Sequence, residues 1–185
     1  LAEPIGGFEH NRQSLRVVTR LEQRYENFDG LNLTLETLRG LMKHNESGER
    51  TALGLADAGD RWPPASVEAR IVNLADELTY NAHDLDDGLR SGLLDFGDIR
   101  DLPLVQLAIA GQRLPDNPEL RRHELVREIL GACVEDVIVT ASARLDAADN
   151  IQGLDEPAID GLVQPSEPFA EAGVNLKHFL HQALY

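Results

Sequence analysis

Asp76, Tyr80 and Asp84 follow one another at four-residue steps in a chain of 185 residues. At roughly 100° per residue on an α-helix, that spacing carries all three up one face, and Asp87 joins them. Carboxylates flanking a phenol on one stripe suit a site where acidic oxygens and an aromatic ring meet a ligand or a metal ion. Val67, Ile71, Leu74, Leu78, Leu85 and Leu89 recur at three-four spacing and form a second, apolar stripe nearly opposite. Any surface helix shows a polar face opposite an apolar one. Two details go beyond that pattern. Between residues 71 and 89 there is no Lys or Arg among Asp76, Glu77, Asp84, Asp86 and Asp87, whereas surface helices usually interleave acids with cations to form i,i+4 pairs. The tyrosine also stands between two of these acids.

The helix that carries this stripe spans 67–89, opened by Pro63-Pro64 and Ser66 and closed by Ser91-Gly92. Before it, a helical pattern covers 8–25. Phe8, Leu15, Val18, Leu21 or Glu22, and Tyr25 share one face; Arg12, Arg16, Arg20 and Arg24 form a solvated row on another. Turn residues at 27–30 break it. A second helix runs to about residue 43, with Asn32 or Thr34 as its cap and Leu35, Leu38, Leu41 and Met42 buried. Lys43 and His44 lie at its C-terminal end, where cations suit the helix dipole. Residues 45–64 read as a surface loop, anchored by Trp62, the single tryptophan.

Beyond the central helix, 96–103 is a short connection and 104–112 a short apolar helix. Pro118 opens a long helix to about residue 147, with Leu120, Val126, Ile129 or Leu130, Cys133, Val137, Ala141 and Leu145 as its core stripe. The β-branched run at 137–140 has helical flanks and no breaker, so it stays in that helix. Residues 149–165 read as a loop. Ser166 caps a last helix that turns Phe169, Leu176, Phe179, Leu180 and Leu184 inward. No segment alternates as a strand does. The expected class is all-α, with about six helices.

A net charge of −15 argues against general affinity for nucleic acid or anionic lipid. No apolar run approaches the roughly 18 residues that span a membrane. The lone Cys133 excludes an internal disulfide framework and points to a cytoplasmic location. There is no Gly-rich phosphate loop, GxSxG, HExxH or CxxC. The six histidines are scattered; His178 and His181 read as an exposed pair, and His83-Asp84 is a weak metal signal.

GGFEHNRQSLRVVTRLE, GLNLTLETLRGLMKH and VEARIVNLADELTYNAHDLDDGL, in that order, resemble the bacterial deoxyguanosine triphosphate triphosphohydrolase-like proteins of the HD superfamily, and LKHFLHQALY looks like the segment near their C-terminus. The resemblance covers most of the chain. It implies an HD-domain-type helical bundle, with 1–95 as the second half of the catalytic domain and 96–185 as an associated helical region. It also implies a divalent metal ion (Mg, Mn or similar), a dNTP substrate and a homo-oligomer. In that family the metal is held by a His, a His-Asp pair and a later Asp, which is followed by Tyr four residues on and Asp eight on. The later Asp corresponds to Asp76. Tyr80 then bounds the deoxyribose where a 2′-hydroxyl would crowd it, and Asp84 accepts a hydrogen bond from the 3′-hydroxyl. Asn32 and Lys43 match positions near the nucleotide.

The first His and the His-Asp pair of the family precede GGFEHNRQ, so the resemblance implies that they are missing here. The 185-residue polypeptide alone is then expected to be inactive. Two rival expectations stand beside the enzyme: a non-catalytic regulatory or oligomerisation module on the same scaffold, and a generic helical protein-binding domain.

Overall fold

The computed structural model describes residues 10–42, 66–148, 154 and 156–185. Among them the protein is all-α, with eight helices and one π-helical turn. The chain divides into two compact units, 1–70 and 71–185, and the division falls inside the central helix.

In the first unit, α1 (His10–Arg16) runs into a π-helical turn, Val17–Leu21. The sequence predicts one helix to residue 25, and here the structure differs. The chain folds back after Leu21: the Gly30 amide donates to the Glu22 carbonyl at 3.0 Å and the Leu31 amide to the Val18 carbonyl at 2.8 Å. Gly30 makes this possible. Its φ is +77°, and a Cβ there would sit 2.5 Å from the Val18 carbonyl oxygen. Leu21 and Tyr25 consequently end up exposed rather than on a buried stripe. In α2 (Leu35–Leu41) the Thr34 hydroxyl, not Asn32, caps the first turn by accepting from the Thr37 amide. Leu15, Leu38 and Met42 form a small core with Val18, Leu33 and Leu41 around it.

The second unit contains most of α3 (Val67–Ser91), then α4 (Phe96–Ile99), α5 (Pro103–Ile109), α6 (Pro118–Ala147), α7 (Glu156–Leu162) and α8 (Glu167–Leu184). The short α5 lies against both α6 and α8. Its Leu104 and Val105 meet Leu125, Ile129 and Cys133 of α6, Leu176 and Leu180 of α8, and Leu85 of α3 in one apolar core. Burying each such side chain is worth roughly 1.5–3 kcal/mol.

Two segments expected to be irregular hold helices. Asp95 and Asp98 close a capping box on α4, each side chain accepting from the other's backbone amide. Within 149–165, α7 buries Ile159, and Val163 follows it into the interior. Arg144 then donates to the Gln164 and Pro165 carbonyls, and Asp136 accepts from the Ser166 amide at 2.8 Å, fixing the entry to α8. In the second unit, two members of the expected stripes face water instead: Ile71 on α3, 47% exposed, and Leu120 on α6. The loop at 45–64 and its Trp62 lie outside the described residues.

Candidate functional site

The candidate site is built on α3. Ser66 starts this helix by accepting from the Ala69 amide at 3.2 Å. Leu74, Ala82, Leu85 and Gly88 form its buried line. That line anchors the helix and turns the opposite side, with Asp76, Tyr80 and Asp84, away from the core. Asp76 is exposed, Tyr80 is 65% exposed and Asp84 is half-buried.

What covers Asp84 is the end of α8. Gly88 permits the approach, because a Cβ there would lie 3.2 Å from a Leu184 methyl and 2.7 Å from a Leu94 methyl. Between the two helices lies a cleft of about 520 Å³, lined by Asp84, Asp87, Arg90, Ser91, Leu184 and Tyr185. The Tyr185 ring stacks on His181, with centroids 6.0 Å apart and planes 29° apart. The charge of Asp84, and then Tyr80, push the Tyr185 phenol above its usual range. Asp84 and Tyr185 thus line the cleft, with Tyr80 beside Tyr185, an acid and two phenols that can accept and donate hydrogen bonds to a hydroxylated ligand. Tyr185 was missing from the sequence-based set because it joins Asp84 only through the α3–α8 packing, 101 positions away.

The acids of α3 do have cations, supplied by other helices. Arg122 of α6 pairs with Asp86, both largely buried. Lys177 of α8 reaches Glu77 at 3.3 Å. The absence of Lys and Arg between residues 71 and 89 is thus met partly by tertiary pairing, without any need for a metal at those two acids. Among the described residues no three His, Cys, Asp or Glu side chains come together as a group that could hold a metal ion. The described residues do not by themselves fit a metal centre, since Asp76 would be one ligand where a divalent ion takes several.

The other expected contacts are distributed as follows. Asn32 is exposed in the first unit, with a left-handed φ of 53°. Lys43 lies outside the described residues. His178 and His181 are exposed, as the sequence suggests, and Cys133 is in the core. Among the described residues no helix is long and apolar enough to cross a membrane.

No protein-family model matches the chain. Individual proteins do. It is 47% identical over 157 residues to a deoxyguanosinetriphosphate triphosphohydrolase-like protein of Cereibacter sphaeroides, an alignment covering 80% of this chain and 42% of the relative. Proteins of the same description from Paracoccus denitrificans and Ralstonia pickettii are 41% and 43% identical over 100% and 99% of this chain, and 52% and 48% of their own lengths. The chain thus spans about half the length of the curated relatives it matches. The likeness runs through both units and through the helix that bears Asp76, Tyr80 and Asp84, and by it the chain belongs to the deoxyguanosinetriphosphate triphosphohydrolase-like family.

Proposed function

We propose that the complete protein is a metal-dependent deoxynucleoside triphosphate triphosphohydrolase of the HD superfamily, converting a dNTP and water to a deoxynucleoside and inorganic triphosphate. The names of the relatives support the reaction class. The observation that carries the substrate side is that Asp84 and Tyr185 line one cleft and Tyr80 lies beside Tyr185. In this reading Asp84, half-buried and acceptor-only when ionised, takes the hydrogen bond of the sugar 3′-hydroxyl. Tyr80 stands one helical turn earlier and places its ring where a 2′-hydroxyl would be crowded. Tyr185 closes the other side. Asp76, one turn before Tyr80, is the ligand this segment gives to a divalent ion, whose chemistry when bound is Lewis-acid polarisation of phosphate oxygens. Asn32 and Lys43 are proposed to lie near the nucleotide.

The reading also holds that the 185-residue polypeptide is inactive alone, because it brings one proposed ligand and, among the described residues, no assembled set. Assay of the complete protein tests the assignments. Asp76→Ala should abolish triphosphate release while its circular dichroism stays unchanged; retained turnover would overturn the ligand role. Tyr80→Ala should narrow the deoxy-over-ribo preference in kcat/KM by about tenfold, since a cavity then accepts the extra hydroxyl. Turnover by the isolated segment with Mg or Mn would refute its proposed inactivity.

A second reading, a scaffold for self-association, is favoured by one feature. Val134, Ile138 and Val139 are exposed on neighbouring positions of α6. Light scattering of the protein and of a Val134→Glu/Ile138→Glu variant tests it: a shift to lower mass in the variant supports this reading, and an unchanged mass removes it.

A further inference from the structure

Within the second unit a groove of about 630 Å³ runs along α6, beside the end of α5 and the start of α8. Its floor is apolar, with Leu107, Ala108, Ala132, Val139 and Phe169. Glu128, Glu135 and Asp136 line it as well, and Arg127 is the cation among its lining residues. Arg127 is already shared between Glu124 and Glu128. Asp136 accepts from the Ser166 amide, which orients its carboxylate but leaves the charge. Among the described residues Glu135 has no ion-pair partner. Val134 and Ile138, next to Glu135 and Val139 in the chain, extend the exposed apolar surface of α6.

The first unit carries the opposite combination. The fold-back after Leu21 leaves Leu21, Tyr25 and Phe28 about half exposed. The Tyr25 and Phe28 rings meet edge to face, with centroids 6.4 Å apart. Rings that already hold one another lose little freedom when a partner covers them. Arg16 leads into this knob and Arg24 belongs to it, both exposed. Arg24 meets Glu22 at 3.6 Å with 69% of its side chain exposed, a pair that water weakens. Glu26 and Asp29 keep the tip from being uniformly basic.

We infer that the aromatic knob of one molecule docks into the α6 groove of a second copy. Tyr25 and Phe28 cover the apolar floor, and Arg16 and Arg24 face Glu128, Glu135 and Asp136. Charge favours this occupant. Nearly all of the net charge of −15 falls in residues 71–185, so the second unit of another molecule attracts guanidinium groups and repels nucleic acid. Arg127 gives the acids of the tip a counter-charge. Knob and groove are different surfaces, so the contact is head-to-tail: every molecule offers one of each, and a ring closes where the rotation allows. The inference rests on the self-association reading of α6, to which it adds the surface that covers that helix. It is independent of the hydrolase reading.

The test is light scattering of the complete protein over a range of concentrations. A knob variant, Arg24→Glu/Phe28→Ser, and a groove variant, Glu135→Arg/Val139→Arg, change only exposed side chains. Each alone should associate at least about tenfold more weakly than the wild type. Mixed in equal amounts they retain one intact knob and one intact groove, so the mixture should form a species heavier than either variant alone and lighter than the wild-type assembly. Arg16→Glu/Arg24→Glu is a second knob variant that leaves the rings in place, and circular dichroism establishes that each variant is folded. A wild type with the mass of one chain throughout would overturn the self-association reading and this inference together. An assembly that Val134→Glu/Ile138→Glu dissociates, but that both knob variants leave intact, would overturn this inference alone. So would knob and groove variants that fail to pair when mixed. Binding of a single-stranded oligonucleotide by a monomeric wild type, lost in Arg16→Glu/Arg24→Glu, would assign the knob to nucleic acid instead and overturn it.

Discussion

Cys133 illustrates how burial alone sets a residue's chemistry. Its thiol lies in the core between α5 and α8, and burial, followed by the charge of Asp136, pushes its pKa up to about 11 from 9.0. The folded thiol therefore keeps a proton that the unfolded thiol releases. Stability from this group is fully present below the unfolded value and is lost as pH rises through the folded one. The urea midpoint should fall more steeply between these two values in the wild type than in Cys133→Ala. At about pH 8, iodoacetamide should leave Cys133 unmodified until the protein is unfolded; rapid native-state alkylation would contradict its placement. At the candidate site, Asp76, Tyr80 and Asp84 were legible in the sequence because their four-residue step is a local property. Tyr185 was not, since nothing in the order of residues says which helix end will lie beside Asp84. The cations for Asp86 and Glu77 were hidden for the same reason: Arg122 and Lys177 come from distant helices.

At the scale of elements, strong local signals located the long helices. Pro118 marks the start of α6, and the structure adds Asn117 as its cap, a side-chain acceptor for the Glu119 and Leu120 amides, both at 3.0 Å. Asn117→Ala should cost about 1 kcal/mol in urea unfolding, and Asn117→Asp should recover most of it; an unchanged midpoint in the alanine variant would show the cap to be unimportant. Weak or mixed signals failed. Residues 156–162 contain Pro157, Asp160 and Gly161, which read as loop, yet Ile159 and the following Val163 find apolar cover and draw the segment into a helix. The pattern at 8–25 kept its period on paper, but the fold-back after Leu21, permitted by Gly30, overrides it. The stripe assigned to α6 missed Leu125, which is fully buried, and included Leu120, which is exposed, because several faces of that helix carry apolar residues.

At the scale of the molecule, charge is unevenly distributed: Arg90, Arg100, Arg121 and Arg122 line one cleft among the end of α3, α4 and the first turns of α6. A net charge of −15 disfavours any broad anionic partner, while four guanidinium groups gathered in one concavity create a local exception. The second unit meanwhile depends on one of its shortest parts. The seven residues of α5 are too few to hold a helix in isolation, since peptides below roughly 12–15 residues are marginal in water. Its Leu104 and Val105 nevertheless lie at the centre of the core shared with α6 and α8. The backbone of α5 can therefore open only when its neighbours release it. In native-state hydrogen exchange, the amides of Gln106 to Ala108 should be among the last to take up deuterium, with an opening free energy close to that of unfolding the whole unit. Early labelling there, ahead of the longer α8, would mean that α5 can leave the core by itself.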